Sequence, residues 1–164
     1  MTDAANGTTQ QPLPPPLVVQ MQYLKDFSFE NPNAPRVYME QRDAPQVQVD
    51  VRVNATPLAD RMYEVVLHIE AEASAGATKL FVVDLAYAGI FQVAQDIPEQ
   101  HLQPIVLIEC PRLLFPYARA LISDASRDGG FPPLLIQPFD FTALYQQRLA
   151  EAQAQATAQD RPLV

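Results

Sequence analysis

Residues 46–54 read Gln-Val-Gln-Val-Asp-Val-Arg-Val-Asn, with a valine at every second position. Successive side chains of an extended strand point to opposite faces of a sheet, so this alternation predicts a strand with one apolar and one polar face. The same period of two returns at residues 18–30, 62–73 and 79–87. The sequence therefore predicts four strands.

The first and fourth strands carry irregularities in this pattern. Lys25 interrupts the apolar face of the first strand, which predicts a bulge or an edge position there. The pattern assigns these residues to that apolar face: Val19, Met21, Tyr23, Phe27 and Phe29. In the fourth strand the face opposite Phe81 and Val83 is also largely apolar and holds Leu80, Val82, Asp84 and Ala86.

The connections between the strands differ in length. Residues 55–61 and 74–78 are short enough for hairpins, so strands two to four are predicted to form an antiparallel meander. Residues 31–45 are too long for a hairpin and contain three prolines. They are predicted to form a crossover loop between strands one and two.

The second half of the chain has helical spacing. A helix is predicted from Pro98, short or broken because Pro104 lies inside it. Pro111 suits the first turn of a main helix, which the Gly129-Gly130 pair ends. Asp140 is predicted to cap a last helix. Four strands followed by two main helices give an α+β fold.

The two ends of the chain differ in composition from its middle. Residues 1–16 contain four prolines among small polar residues and are predicted to form a disordered arm. Residues 151–164 are rich in alanine and glutamine and are predicted to form a flexible tail. The folded body is then residues 17–150.

Charge and cysteine content exclude several classes of function. The chain has 11 Lys and Arg against 19 Asp and Glu, a net charge of −8. Phosphate-rich partners require clustered cations, so nucleic acid and anionic membranes are unfavourable partners. One cysteine excludes a disulfide framework within the chain. No secretory leader and no stretch long enough to span a bilayer is recognisable, so a cytoplasmic location is expected.

The residues that usually carry catalysis are sparse and scattered. His68 and His101 lack the neighbours of a metal site. Cys110 is interpreted as a small buried residue at a helix start, not as a nucleophile. The five glycines do not form a phosphate-binding loop. We expect no metal, no cofactor and no catalytic residues, although a small-molecule-binding or enzymatic α+β domain stays open as an alternative.

The predicted sheet has more apolar surface than two helices can cover. The outer face of the fourth strand and the crossover loop both require a covering partner. This predicts either an interface between copies of the chain or a surface held open for apolar partners, and both can be true.

Several stretches, in the same order along the chain, together resemble the SecB family of bacterial protein-export chaperones. They cover about residues 17–150 and comprise Lys25 to Pro35, Tyr63 to Leu67, Ala88 to Phe91, Cys110 to Arg119, Phe131 to Leu134, and Phe139 to Phe141. The resemblance implies a homotetramer built as a dimer of dimers. It also implies an ATP-independent holdase that keeps secretory precursors unfolded and passes them to the ATPase SecA, without direct membrane insertion.

The resemblance further implies two sets of binding residues. Unfolded clients are expected between the crossover loop and the last helix, on Val37, Tyr38, Met39, Phe141, Leu144, Tyr145 and Leu149. SecA is expected on the flat face of the sheet, on Asp26, Glu30, Val82 and Asp84. At Arg42 some relatives have tryptophan, and the tail ends differently from the family pattern. A general or antitoxin-associated holdase of the same fold, without SecA coupling, is the nearest alternative.

Overall fold

Four antiparallel strands form a single sheet. They are β1 (Leu17–Glu30), β2 (Gln46–Ala59), β3 (Met62–Ala75) and β4 (Thr78–Val93). In the computed structural model, which describes residues 15–40 and 44–159, their order is β1-β4-β3-β2. β1 and β2 therefore lie at opposite edges, which confirms that the connection between them crosses over the sheet.

The two hairpins are tighter than predicted, because the strands extend further. Between β2 and β3 only Asp60 and Arg61 are left over, and Arg61 has a positive φ of 53°. Its guanidinium donates hydrogen bonds to the carbonyl oxygens of Ala94 at 3.0 Å and Ile97 at 2.6 Å. These bonds hold a conformation that is costly for a residue with a Cβ atom. β2 accommodates Pro57 because an edge strand can lose a backbone donor.

β1 departs from the predicted alternation at two places. The register shifts once between Val19 and Met21 and again between Leu24 and Asp26. A bulge or an edge position was predicted at Lys25, and the second shift together with the strand order shows both. Each extra residue sends the following side chains to the opposite face. The prediction that Met21 and Tyr23 share a face with Phe27 and Phe29 is therefore wrong.

We call the side of the sheet that carries Phe81, Val83 and Leu85 the inner face, and the opposite side the outer face. Tyr23 lies on the outer face, where it packs on a small apolar cluster of Val66, Ala86 and Ala88. The unusually apolar outer face of the fourth strand is thus partly covered by β1.

The helical half contains α1 (Glu99–Pro104), a π-helical turn (Ile105–Glu109), α2 (Cys110–Asp128) and α3 (Phe141–Gln159). The first three follow one another without a gap. The N–H of Cys110 bonds the carbonyl of Ile105, five residues earlier. Pro111 has no N–H, and its ring crowds the carbonyl four residues earlier. The helical hydrogen bonds therefore span five residues here instead of four. The expected break near Pro104 is thus a change of helix type.

The core lies between α2 and the inner face of β3 and β4. Leu114, Ala118 and Ile122, spaced four residues apart, are fully buried on one side of α2. Gly89 on β4 makes room for this helix, because a Cβ there would lie 3.0 Å from Leu114 Cδ2. Cys110 is also fully buried, and burial raises the pKa of its thiol to about 12. This agrees with its interpretation as a packing residue.

The folded part extends beyond the predicted boundaries at both ends. The carbonyl of Pro16 accepts a hydrogen bond from Ala94 N at 3.0 Å. Asp140 Oδ1 accepts one from Ala143 N at 3.0 Å, which confirms the predicted cap, and α3 then runs to Gln159 rather than ending near residue 150. Alanine and glutamine are good helix formers. Residues 1–14, 41–43 and 160–164, which include most of the predicted arm, Arg42 and the end of the tail, lie outside the described residues.

Candidate functional site

Acidic side chains cross all four strands on the outer face. The strand register pairs Ser28 with Asp84, Asp84 with Glu70, and Glu70 with Asp50. The neighbouring row pairs Glu30 with Val82 and Val82 with Glu72. We call this surface the acidic face and define it by Asp26, Glu30, Asp50, Glu70, Glu72 and Asp84. All four residues that the resemblance assigns to SecA therefore share one face.

The acidic face has a paired half and an unpaired half. The acids of β2 and β3 are paired: Arg52 contacts Glu70 and lies 3.1 Å from Asp50, and Lys79 of β4 lies 3.0 Å from Glu72. On β1 and β4, Asp26, Glu30 and Asp84 are exposed, and no cation of the described residues forms an ion pair with them. The carboxylates named by the resemblance are thus those left free for an external cation.

The sequence alone does not show that the other acids belong to this face. Glu70 and Glu72 alternate correctly on strand three, and Asp50 does so on strand two. Alternation assigns each of them to a polar face, but only the strand order β1-β4-β3-β2 places those faces side by side.

A polar cluster stands beside the acidic face. Tyr23 donates a hydrogen bond to Glu64 Oε1, and Lys25 Nζ lies 2.7 Å from the same oxygen. The Lys25 contact and then the Tyr23 bond lower the pKa of Glu64. The bond to Glu64 and then burial raise the pKa of Tyr23 to about 12. The cluster ties edge strand β1 to β3 across the small residues of β4.

Glu64→Gln is expected to make the free energy of unfolding less dependent on pH under acidic conditions. A carboxyl whose pKa is lowered by folding adds stability above its ordinary pKa, and this is lost as the pH falls through the folded pKa. The free energy of unfolding, measured with urea between about pH 3 and 7, should therefore fall less steeply for Glu64→Gln than for the parent chain. Glu99→Gln, which removes an exposed carboxylate, is the control. Equal slopes for all three proteins would contradict the prediction.

The three predicted loop residues differ in accessibility. Val37 is buried in the core, Tyr38 is half exposed, and Met39 is 83% exposed. A short 3-10 turn over Arg36–Tyr38 sets this pattern. The Tyr38 hydroxyl donates to the carbonyl of Gly129 at 2.5 Å, so the loop is attached to the C-terminal end of α2.

The predicted residues of the last helix divide in the same way. Phe141 is fully buried and meets the ring of Phe115 edge-on, with ring centroids 5.9 Å apart. The other three line a groove between α3, the edge strand β2 and the π-helical turn. We call it the α3 groove, and its lining comprises Val53, Gln103, Leu107, Leu144, Tyr145, Arg148, Leu149 and Ala152. Its cavity of about 170 Å³ suits a single side chain better than a whole cofactor.

Two of the predicted contact residues need correction. Val37 and Phe141 belong to the hydrophobic core in this structure. Their side chains support the surface from beneath and do not offer it to a client. The most exposed of the predicted residues are Tyr38, Met39 and Leu149, and Leu135 and Phe139 of the connector are exposed as well.

The loop and the last helix lie at opposite ends of α2. Tyr38 contacts Gly129 and Phe141 contacts Phe115, which are about 21 Å apart at 1.5 Å per helical residue. The structure therefore does not bring the two halves of the predicted client site into one pocket. The connector between α2 and α3, with its exposed Leu135 and Phe139, runs from one end to the other.

Two further features concern the grouping of polar side chains and the length of the helices. Among the described residues, no three His, Cys, Asp or Glu side chains are grouped so as to hold a metal ion. No helix in the described part of the chain is both long and apolar enough to cross a bilayer.

Comparison with known proteins identifies the family. Residues 9–152 match the family model for SecB, described as preprotein translocase subunit SecB. The chain belongs to the SecB family. The SecB-family resemblance in the sequence is thereby confirmed, and so is the prediction of a chaperone rather than an enzyme.

Individual SecB proteins are similar along nearly their whole length. The protein-export protein SecB of Azorhizobium caulinodans is 55% identical over 154 residues, which cover 93% of this chain and 96% of that protein. That of Bartonella quintana is 52% identical over 145 residues, covering 88% and 91%. A SecB-like chaperone of Mycobacterium tuberculosis, solved with an antitoxin peptide, shares the fold with a TM-score of 0.62 at 15% identity, over 75% of this chain and 90% of that one.

Proposed function

We propose that this SecB-family chaperone holds unfolded secretory precursors in the cytoplasm and transfers them to SecA. The proposal rests on one observation: an unpaired acidic surface and an exposed apolar surface occupy opposite sides of the same sheet. Asp26, Glu30 and Asp84 lie on the outer face, and the α3 groove lies on the helical side. Client and SecA can then be held at the same time.

Apolar side chains of a client are proposed to enter the α3 groove. Leu144 and Leu149 on α3 form one wall, and Val53 on β2 and Leu107 of the π-helical turn form the other. An unfolded chain offers scattered apolar residues, so a shallow apolar groove binds many sequences weakly. Several grooves on one oligomer then raise the overall affinity.

Replacing Tyr145 and Leu149 together by alanine is expected to weaken binding of a short unfolded segment about 10- to 30-fold, because each truncation removes on the order of 1 kcal/mol of apolar contact. The measurement is fluorescence anisotropy with a labelled apolar peptide that spans one groove. Gln146→Ala and Gln147→Ala together, on the exposed side of α3, form the matched control. Unchanged affinity of the Tyr145 and Leu149 variant would show that the client binds elsewhere.

Self-assembly is proposed to use two uncovered surfaces. One is edge strand β1, where Met21 is 58% and Leu24 is 48% exposed. The other is one flank of α2, where Leu113 and Tyr117 lie one turn apart and are 43% and 54% exposed. Two edges of β1 can join sheets into a dimer, and the α2 surfaces can join dimers into the tetramer that the family resemblance implies.

Light scattering is expected to give a mass of about four chains at micromolar concentration, against 18.2 kDa for one chain. Leu113→Glu with Tyr117→Glu should reduce this mass by half, because like charges would then face each other across the α2 interface. A parent chain that scatters as a monomer, or a variant that remains a tetramer, would contradict this assembly.

A further inference from the structure

The wall of the α3 groove contains a cationic side chain, Arg148, among mainly apolar neighbours. We propose that the guanidinium of Arg148 donates hydrogen bonds to a backbone carbonyl of an extended client segment in this groove. The inference rests on the client-binding role proposed above. It assigns to Arg148 the recognition of the client main chain, while the surrounding leucines receive its side chains.

The first support is the direction in which Arg148 reaches. One terminal nitrogen, Nη1, donates to the carbonyl of Val53 at 2.6 Å. Val53 lies on β2, which has β3 on one side only. Arg148 therefore reaches the backbone of an edge strand, and the extended segment is placed along this edge.

The second support is the unused donor capacity of this side chain. A guanidinium has five N–H donors, and the Val53 carbonyl accepts from one terminal nitrogen. No carboxylate of the described residues lies in an ion pair with Arg148, and its neighbours in the groove are mainly apolar: Val53, Leu107, Leu144, Leu149 and Ala152. A cationic donor against an apolar wall favours a strong acceptor.

The third support is the kind of acceptor that a holdase meets. Every residue of an unfolded client has a backbone carbonyl, whatever its side chain. A donor aimed at that group adds affinity without demanding a sequence, and it orients the segment alongside β2. Arg148 thereby complements the apolar contacts, which by themselves do not fix direction or register.

The test uses the full-length chain and a fluorescein-labelled nonapeptide of alternating leucine and threonine, blocked at both ends so that it has no carboxylate. Arg148→Met keeps the apolar stem and removes the donors, and it is expected to weaken binding about 10-fold. Gln147→Met, on the exposed side of the same helix, should bind like the parent chain.

A series of peptides with one thioamide each separates recognition from a structural role. Sulfur is a weaker acceptor than oxygen, so one position is expected to lower affinity several-fold for the parent chain and not for Arg148→Met. If every position affects both proteins equally, Arg148 only clamps α3 to Val53 and the inference is wrong. It is also wrong if Arg148→Met alters only the binding of a glutamate-containing peptide.

The outcome is distinguishable from failure of the proposed function. If the Tyr145 and Leu149 double variant binds the nonapeptide normally, the client site itself is misplaced. If that variant binds weakly while the thioamide series shows no coupling to Arg148, the groove stands and only the role of Arg148 is lost.

Discussion

Reversing two charges of the acidic face, Asp26→Lys with Asp84→Lys, is expected to weaken SecA binding on the order of 100-fold at low ionic strength. Both carboxylates are exposed and form no ion pair with a cation of the described residues, so they are available to a basic partner. Their replacement by lysine converts two attractions to a basic surface into repulsions. The effect should shrink as salt is added, because exposed charges are screened.

The measurement is a titration of labelled SecA with each protein at about 20 mM and 300 mM salt, which span weak and strong screening. Asp96→Lys with Glu99→Lys changes the net charge equally, near the start of α1, and is the matched control. Client affinity and tetramer mass should stay unchanged in both variants. Unaltered SecA affinity of the Asp26 and Asp84 variant at low salt would show that the acidic face is not the SecA site, whereas a parent chain that does not bind SecA at all would favour the holdase without SecA coupling.

Side-chain alternation predicts only part of the acidic face. Asp26 and Glu30 are four residues apart with no bulge between them, so parity alone puts them on one face. Glu70 and Asp50 join them only because β3 and β2 follow β4 in the sheet. Their pairing with Arg52, which separates them from the unpaired acids, depends on side-chain geometry that periodicity does not report.

β1 and the α3 groove show where pattern reasoning fails. The sequence predicts an irregularity at Lys25, because a lysine interrupts an apolar face there. The shift after Val19 has no such signal in the sequence. Met21 and Tyr23 were therefore assigned to the wrong face. Helical spacing selected Leu144, Tyr145 and Leu149 correctly as one side of α3. It gave no information on Gln103, which reaches the groove from α1.

The sequence also does not predict which of the client residues are buried. Val37 and Met39 are two residues apart in one loop, yet one is 6% and the other 83% exposed. A loop has no periodicity from which to assign sides. The outcome was set by the 3-10 turn and by the attachment of Tyr38 to Gly129.

Gly129→Ala is expected to lower the free energy of unfolding by about 1–3 kcal/mol, as overpacking usually does. Its φ of −72° suits any residue, so the glycine is required for space and not for conformation. A Cβ at this position would lie 2.4 Å from Phe29 Cζ. Phe29 cannot easily retreat, because its ring stacks on Phe81 at 5.5 Å, and Phe81 meets Phe131 at 5.0 Å.

The sign of the change in the free energy of unfolding shows whether the added methyl group clashes with Phe29. Urea unfolding at equal protomer concentration measures this change. Without a clash, alanine would stabilise the protein by about 0.4–1 kcal/mol, because it restricts the unfolded chain. Gly76→Ala is the control for backbone strain alone: its φ is +58° and its Cβ would meet nothing within 4 Å, so a cost of about 1–2 kcal/mol is expected there. Phe29→Leu shortens the opposing side chain. Combined with Gly129→Ala it should cost less than the sum of the two single changes, whereas additive costs would place the strain somewhere other than this contact.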